Sequence, residues 1–188
     1  MDFNDAVNMA TCTEGKIDSV IANKDLLINL MESLVANGEI LDQVKKHTFY
    51  NREIPYHKTQ EYLDVMTTRT ERLDEILVDS SVTSNKEFIE LDTRLFHSAI
   101  GVVTEGVELL QNLLNSIKNE TPIDKVNFRE ELFDVMWYVL IAHDAINESP
   151  IKTLQIGFEK LKHRYPDKFN SYSANHRDLV GERLILES

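Results

Sequence analysis

Residues 97–146 read HSAIGVVTEGVELLQNLLNSIKNETPIDKVNFREELFDVMWYVLIAHDAI. Apolar residues recur along this stretch at intervals of three and four, which is the spacing of one side of an α-helix. Two acidic pairs are set into the pattern, Glu105 with Glu108 and Glu131 with Asp134. Because residues three apart share a helix face, each pair places two carboxylates on one face. Two such faces brought together predict a cluster of four carboxylates.

The composition predicts an all-α protein built as a helix bundle. Only 6 glycines and 4 prolines interrupt the 188 residues, and 42% of the residues are hydrophobic, which favours helices with short connections over a sandwich or barrel. The chain is long enough to bury a core as one domain or two small ones. We expect an N-terminal helical region over residues 1–84 and a second region, which carries the acidic pairs, over residues 85–188.

Charge and cysteine content restrict the partners. A net charge of −12 argues against binding to duplex nucleic acid, because such binding needs a basic surface. The single cysteine, Cys12, cannot form a disulfide within the chain and suits a reducing compartment. The longest apolar run, residues 135–142, is too short to span a bilayer. These features predict a cytoplasmic protein that binds neither a membrane nor duplex nucleic acid.

The rest of the chain also follows a helical period. The period begins at Ile17, runs to Val44, and resumes near Lys58 and again at Lys86. Residues 45–52 are basic and aromatic and are expected to form a loop, and residues 80–85 break the pattern.

The two ends of the chain are less regular. Residues 1–16 show no clear period and are expected to be extended or frayed. Ser149 followed by Pro150 is a typical helix start, and the helix it opens is expected to end before Pro166. The apolar residues expected to face the core are Phe88, Leu91, Leu95, Ile100, Val103, Val107, Leu110 and Leu114 in the first acid-bearing region and Leu132, Val135, Met136, Val139 and Ile146 in the second helix.

Four neighbouring carboxylates would repel one another, raising some of their pKa values and lowering stability unless cations neutralise them. Hard divalent ions prefer oxygen ligands and bridge carboxylates to phosphates, so Mg²⁺ is the expected ion, with Mn²⁺ as a substitute. The alternative is that acidic residues three apart simply lie on a solvated helix face. Trp137 and Tyr138 beside the second pair are candidates for stacking on a base or for packing in the core.

The N-terminal half contains a fainter copy of the same layout. Glu39 and Glu61 are separated by 22 positions, and Glu108 and Glu131 by 23. Ala36 stands where the copy would need its first acid. We hypothesise a degenerate repeat of the helix pair; chance similarity between acidic helices is the alternative.

Longer motifs resemble a known family. The order E-x-x-E, spacer, E-x-x-D is similar to that of the MazG-like all-α nucleoside triphosphate pyrophosphohydrolases, and the resemblance covers about residues 88–187. The other segments that carry it are His97-Ser98-Ala99-Ile100-Gly101, Glu130-Glu131-Leu132 through Tyr138, Lys160-Leu161 through Phe169, and Asn175 through Leu179.

The resemblance implies hydrolysis of a nucleoside triphosphate to a monophosphate and pyrophosphate, with residues 85–188 as the catalytic region. It implies Glu105, Glu108, Glu131 and Asp134 as catalytic metal ligands. It further implies that Lys160 and Arg164 contact phosphate and that the protein is a homo-oligomer, a dimer or a tetramer.

Three positions depart from the family pattern: Thr104, Phe133 and Gly157. None of the three is a metal ligand, but Gly157 replaces an asparagine expected at the substrate. The alternative function is therefore a non-catalytic nucleotide-binding or interaction protein that retains the fold.

Overall fold

The computed structural model describes residues 2–78 and 86–188, which are mostly helical with one small two-stranded sheet. In chain order the elements are α1 (Phe3–Thr13), β1 (Val20–Ala22), α2 (Lys24–Tyr50), α3 (Tyr56–Val78), β2 (Glu87–Ile89), α4 (Thr93–Asn119), α5 (Lys125–Ala145), α6 (Pro150–Arg164), α7 (Ser171–Asn175) and α8 (Leu179–Leu186). The predicted helical class is thus confirmed, apart from the sheet. The predicted break at residues 80–85 and the predicted region boundary after residue 84 lie outside the described residues.

The chain divides into two compact units. The first unit comprises Met1–Ser19 and Glu90–Gly157, and the second comprises Val20–Ile89 and Phe158–Ser188. In the first unit α1 packs on α5, and α5 packs along α4. In the second unit α2 packs along α3, and β1 pairs antiparallel with β2. The acidic pairs belong to the first unit.

Aspartate caps fix where the acid-bearing helices begin. The carboxylate of Asp92 accepts hydrogen bonds from the backbone N–H groups of Arg94 and Leu95, each at 2.9 Å. Asp124 accepts from the N–H groups of Val126 and Asn127 in the same way, at 3.0 and 3.2 Å. Such caps satisfy N–H groups that have no partner inside the helix. The predicted helix start at Ser149-Pro150 is also confirmed, because α6 begins at Pro150.

Three expectations about the ends of elements were wrong. Residues 3–13 form α1 rather than an extended segment, because Asp2 and Asp5 form a reciprocal capping box at its start. Residues 45–50 are the last turns of α2 rather than a loop, and Asn51 ends that helix in a left-handed conformation. The helix expected from Lys86 begins only at Thr93, because residues 87–89 pair with β1.

Most of the apolar residues that were expected to face the core from α4 and α5 are exposed instead, although Ile100 and Val135 are partly buried. On α4, Val103, Val107, Leu110 and Leu114 are between 41% and 47% exposed. On α5, Leu132, Met136, Val139 and Ile146 are between 39% and 57% exposed. The buried residues of these two helices are Ser98, Gly101, Asn112, Glu131 and Ile141. All of them except Ile141 are small or polar. The two helices therefore meet through a stripe that is largely polar.

The two helices are in tight contact at Gly101. A Cβ atom built on Gly101 would lie 2.2 Å from Cε1 of Tyr138 on α5. No side chain larger than hydrogen fits there unless the ring moves.

Replacing Gly101 with alanine is therefore expected to destabilise the first unit by about 1–3 kcal/mol, because the added methyl group overpacks the contact with Tyr138. Gly106 lies on the same helix with nothing within 4 Å of a built Cβ. Alanine at Gly106 is expected to be neutral or to stabilise by up to about 1 kcal/mol through helix propensity. Thermal melts of both variants test this; equal melting temperatures would contradict the tight contact.

Candidate metal centre

Three of the four predicted acids converge between α4 and α5. One carboxylate oxygen from each of Glu105, Glu131 and Asp134 lies within 4.8 Å of the other two. Glu131 is buried, and the other two are partly exposed. The helix pair thus forms a partly buried cluster of carboxylates that could hold a metal ion.

Glu108, the fourth predicted acid, lies beside this group rather than in it. It is not among the three residues whose oxygens share the 4.8 Å separation. Its negative charge nevertheless acts on Glu105, and it lines a groove together with Glu131.

The cluster stores electrostatic repulsion. Partial burial raises the pKa of Glu105 above its ordinary value, and the charges of Glu108, Asp134 and Glu131 raise this pKa further. The pKa of Tyr138 is raised too, first by burial and then by the charges of Glu105 and Asp134. A cation bound among these oxygens would relieve the repulsion.

Two asparagines hold Glu131 from one side. The Nδ2 of Asn127 donates to Oε1 of Glu131 at 2.6 Å. The Oδ1 of Asn127 accepts in turn from Nδ2 of Asn112 at 2.7 Å. Sequence reasoning missed both asparagines, because they are 15 positions apart and match no ligand spacing.

Aromatic side chains border the acids at the other end. The rings of His97, Trp137 and Tyr138 contact one another edge to face, with centroids 4.8–6.0 Å apart. The indole N–H of Trp137 donates to Oγ1 of Thr13 on α1 at 2.9 Å. Trp137 thus anchors α1, whereas Tyr138 lies close enough to the acids for their charges to raise its pKa.

A groove of about 260 Å³ opens between the C-terminal half of α4 and the start of α5. The residues that line it include the acids Glu108 and Glu131 and the side-chain amides of Gln111, Asn112 and Asn127. None of the residues that line it is a lysine or arginine. The groove therefore offers hydrogen bonds but no positive charge of its own.

The two basic residues predicted to contact phosphate, Lys160 and Arg164, belong to the second unit. Arg164 donates from Nε and Nη2 to the two carboxylate oxygens of Glu182, at 2.7 and 2.6 Å. Arg177 donates to the same carboxylate. Lys160 forms no ion pair with any residue in the described ranges.

The predicted N-terminal copy does not build a second cluster. Within the described residues, the group formed by Glu105, Glu131 and Asp134 is the only one of three or more potential ligands that lie this close together. Glu39 instead accepts a hydrogen bond from the hydroxyl of Tyr62 at 3.3 Å. Descent of the two helix pairs from a duplication stays a prediction.

The donor set suits a hard divalent cation. All three converging groups are carboxylates, and Mg²⁺ prefers oxygen ligands in an octahedron about 2.0–2.1 Å from the ion, with water at the remaining positions. Asn127 engages one oxygen of Glu131, and the other oxygen of that carboxylate can still bind a cation. The residues thus fit the ion that the resemblance implies.

No family model, curated protein or solved structure matches the chain. Among the described helices, none combines the length and the apolar character needed to cross a membrane. The geometry of α4 and α5 therefore carries the functional argument.

Replacing Glu105 with glutamine is expected to raise the melting temperature of the metal-free protein near pH 7. A carboxyl whose pKa is raised in the folded state favours folding only when it is protonated, so the charged form costs stability above that pKa. The neutral amide removes the cost. Below the ordinary pKa of 4.5, Glu105 of the wild type is protonated and therefore neutral, like the amide of the variant. The difference in melting temperature between E105Q and the wild type is then expected to disappear.

The exposed neighbour Glu130 provides a matched control, because it lies outside the cluster. Thermal melts of E105Q and E130Q between pH 4 and pH 8, with EDTA present, make the comparison. A lower melting temperature for E105Q at pH 7 would contradict stored repulsion at this site.

Proposed function

We propose that this protein is a Mg²⁺-dependent nucleoside triphosphate pyrophosphohydrolase of the MazG-like type. The observation that supports the proposal is the convergence of Glu105, Glu131 and Asp134, with Glu108 beside them, from two adjacent helices. These are the four positions that the resemblance assigns to the metal. Three of these four positions lie together in the acidic cluster, and this convergence supports the proposal.

Electrostatics makes a bridging cation necessary for this substrate. The chain carries a net charge of −12, and the groove beside the acids has no basic lining residue. A triphosphate would be repelled from such a surface unless metal ions lay between the two. The acidic cluster thus serves to hold those ions.

Hydrolysis would break the bond between the α-phosphorus and the oxygen that bridges it to the β-phosphate, with water supplying the new oxygen. Bound magnesium supplies charge neutralisation and a more acidic water. The chain contributes rigid placement of carboxylates, through the Asn127 contact to Glu131. The phosphate contacts that the resemblance implies for Lys160 and Arg164 stay predictions.

We also propose that the protein assembles as a homo-oligomer through the exposed stripe on α4. Val103, Val107, Leu110 and Leu114 follow a 4-3-4 spacing, which is the spacing of a helix that packs against another helix. Contiguous apolar surface of this kind marks an interaction site. A second copy presents the same stripe, so the contact can be self-complementary.

Light scattering during gel filtration is expected to give a mass of at least twice 21.7 kDa. Glutamate at Leu110, in the middle of the stripe, is expected to shift the mass towards that of one chain. Glutamate at the exposed residue Val78 on α3 is the control. A single-chain mass for the wild type at micromolar concentration would end the assembly proposal.

Incubation with a panel of ribo- and deoxyribonucleoside triphosphates and Mg²⁺, scored for pyrophosphate, tests the activity. We expect monophosphate and pyrophosphate in equal amounts and no release with EDTA. The position of Glu108 outside the three-acid group favours the second candidate, a nucleotide-binding protein without turnover. Tight Mg²⁺-dependent nucleotide binding with no pyrophosphate from any substrate would support that candidate and overturn the enzyme proposal.

A further inference from the structure

The side chain of Asn112 has a fixed orientation. It is buried, and its Nδ2 lies 3.1 Å from the backbone carbonyl oxygen of Asp124. A carbonyl oxygen can only accept a hydrogen bond, so the atom of Asn112 that faces it must be the donating NH₂ group. The carbonyl at the start of α5 therefore decides which way round this amide lies.

The orientation passes from Asn112 to Asn127. The same NH₂ group lies 2.7 Å from Asn127, so the facing atom of Asn127 must be the accepting Oδ1. The Nδ2 of Asn127 is then directed to Oε1 of Glu131, 2.6 Å away. One backbone carbonyl thus sets the direction of two successive hydrogen bonds, and the series ends on a carboxylate of the acidic cluster.

We propose that Asn127 is a positioning residue that, oriented by Asn112, holds Glu131 turned so that its second oxygen faces the cation. The hydrogen bond from Asn127 occupies one oxygen of Glu131 and leaves the other oxygen for the cation. It also restricts rotation of a side chain that is 5% exposed. Side chains that orient metal ligands in this way typically contribute 10–100-fold to metal affinity. The inference rests on the proposed metal site but not on the identity of the substrate.

Titration with Mn²⁺, followed by the electron paramagnetic resonance of the free ion and without nucleotide, tests the proposal. For N127A we expect Mn²⁺ binding weaker by about 10–100-fold. For N112A we expect a smaller loss, because Asn127 keeps its bond to Glu131 but loses its orienting partner. Asn115 is exposed on the same helix and accepts a hydrogen bond from Gln111, so N115A is expected to bind as the wild type does.

Two further readouts separate positioning from simple loss of structure. Far-UV circular dichroism of N127A should match the wild type, because alanine is a good helix former. If the enzyme is active, N127A should need more Mg²⁺ for half-maximal rate and should recover most of its kcat at saturating Mg²⁺. A variant that is folded but stays inactive at saturating Mg²⁺ would contradict positioning as its role.

The possible results of these experiments distinguish the positioning role of Asn127 from the proposed enzymatic function. Mn²⁺ binding that is weakened in N127A but accompanied by no pyrophosphate release from any nucleotide would support positioning and overturn the enzymatic function. Equal Mn²⁺ affinity of wild type, N127A and N112A would overturn positioning and leave the function standing. Absence of Mn²⁺ binding to the wild type would overturn both.

Discussion

Replacing Glu131 with glutamine is expected to lower Mg²⁺-dependent pyrophosphate release by at least about 100-fold, the equivalent of about 3 kcal/mol of transition-state stabilisation. The amide keeps the size of the side chain and can still accept the hydrogen bond that Asn127 donates. It loses the negative charge that attracts the cation. The variant should therefore fold normally while binding Mg²⁺ weakly.

The preceding residue supplies the control for this experiment. Glu130 lies on the same helix, is exposed and has no oxygen in the cluster. E130Q is expected to keep a rate within about twofold of the wild type, as exposed substitutions usually do. Rates for E131Q and E130Q that are similar to each other would mean that the acidic cluster is not where hydrolysis occurs.

Replacing Glu182 with glutamine is expected to destabilise the second unit by about 3 kcal/mol. The Glu182 side chain is 3% exposed and accepts hydrogen bonds from Arg164, whose side chain is 15% exposed. Without the carboxylate, the charge of Arg164 stays buried with no counter-charge at that position. Urea unfolding followed by far-UV circular dichroism measures the loss.

The effect of this substitution should depend on pH in a defined direction. Arg164 and then Arg177 lower the pKa of Glu182 from its ordinary 4.5 to about 2. A carboxyl with a lowered pKa stabilises the fold above its unfolded value, and the stabilisation is lost as the pH falls towards the folded value. The difference between wild type and E182Q is therefore expected to shrink between pH 4.5 and pH 2.

Glu187 is the matched control for Glu182. It follows α8 directly and pairs with Arg183, but both side chains are more than half exposed. Exposed pairs contribute at most about 1 kcal/mol, so E187Q should be nearly as stable as the wild type. An equal loss in both variants would refute a special role for the buried pair.

The sequence was sufficient to predict the helices that carry the acids. Period, caps and proline placement are local signals, and they predicted α6 from Ser149-Pro150 and the presence of both acid-bearing helices. The start expected for the first of these, Lys86, was wrong, because α4 begins at Thr93. Periodicity failed for α1, whose apolar residues show no clear period, and the capping box of Asp2 and Asp5 is a local signal that was missed. A contact distant in sequence, the bond between Thr13 and Trp137, also anchors α1.

The faces of the helices were harder to predict than the helices themselves. Apolar stripes were expected in the core, but Ser98, Gly101 and Asn112 are buried while Val107 and Leu110 are exposed. Periodicity shows that a helix has an apolar side and does not show what covers that side. A second face of α4 also follows a spacing of three and four, at positions 98, 101, 105, 108 and 112. The more hydrophobic face was expected to be buried, and this expectation was wrong.

The polar stripe between α4 and α5 also constrains how the two helices can be aligned. Leucine-rich faces tolerate sliding, because one apolar contact replaces another at little cost. Moving α4 by one turn, about 5.4 Å, would carry Asn112 away from Asn127. A desolvated amide and a desolvated carboxylate would then lack partners, each at a cost of about 1–3 kcal/mol or more. The hydrogen bonds that hold Glu131 in the acidic cluster therefore also disfavour a one-turn shift of α4 along α5.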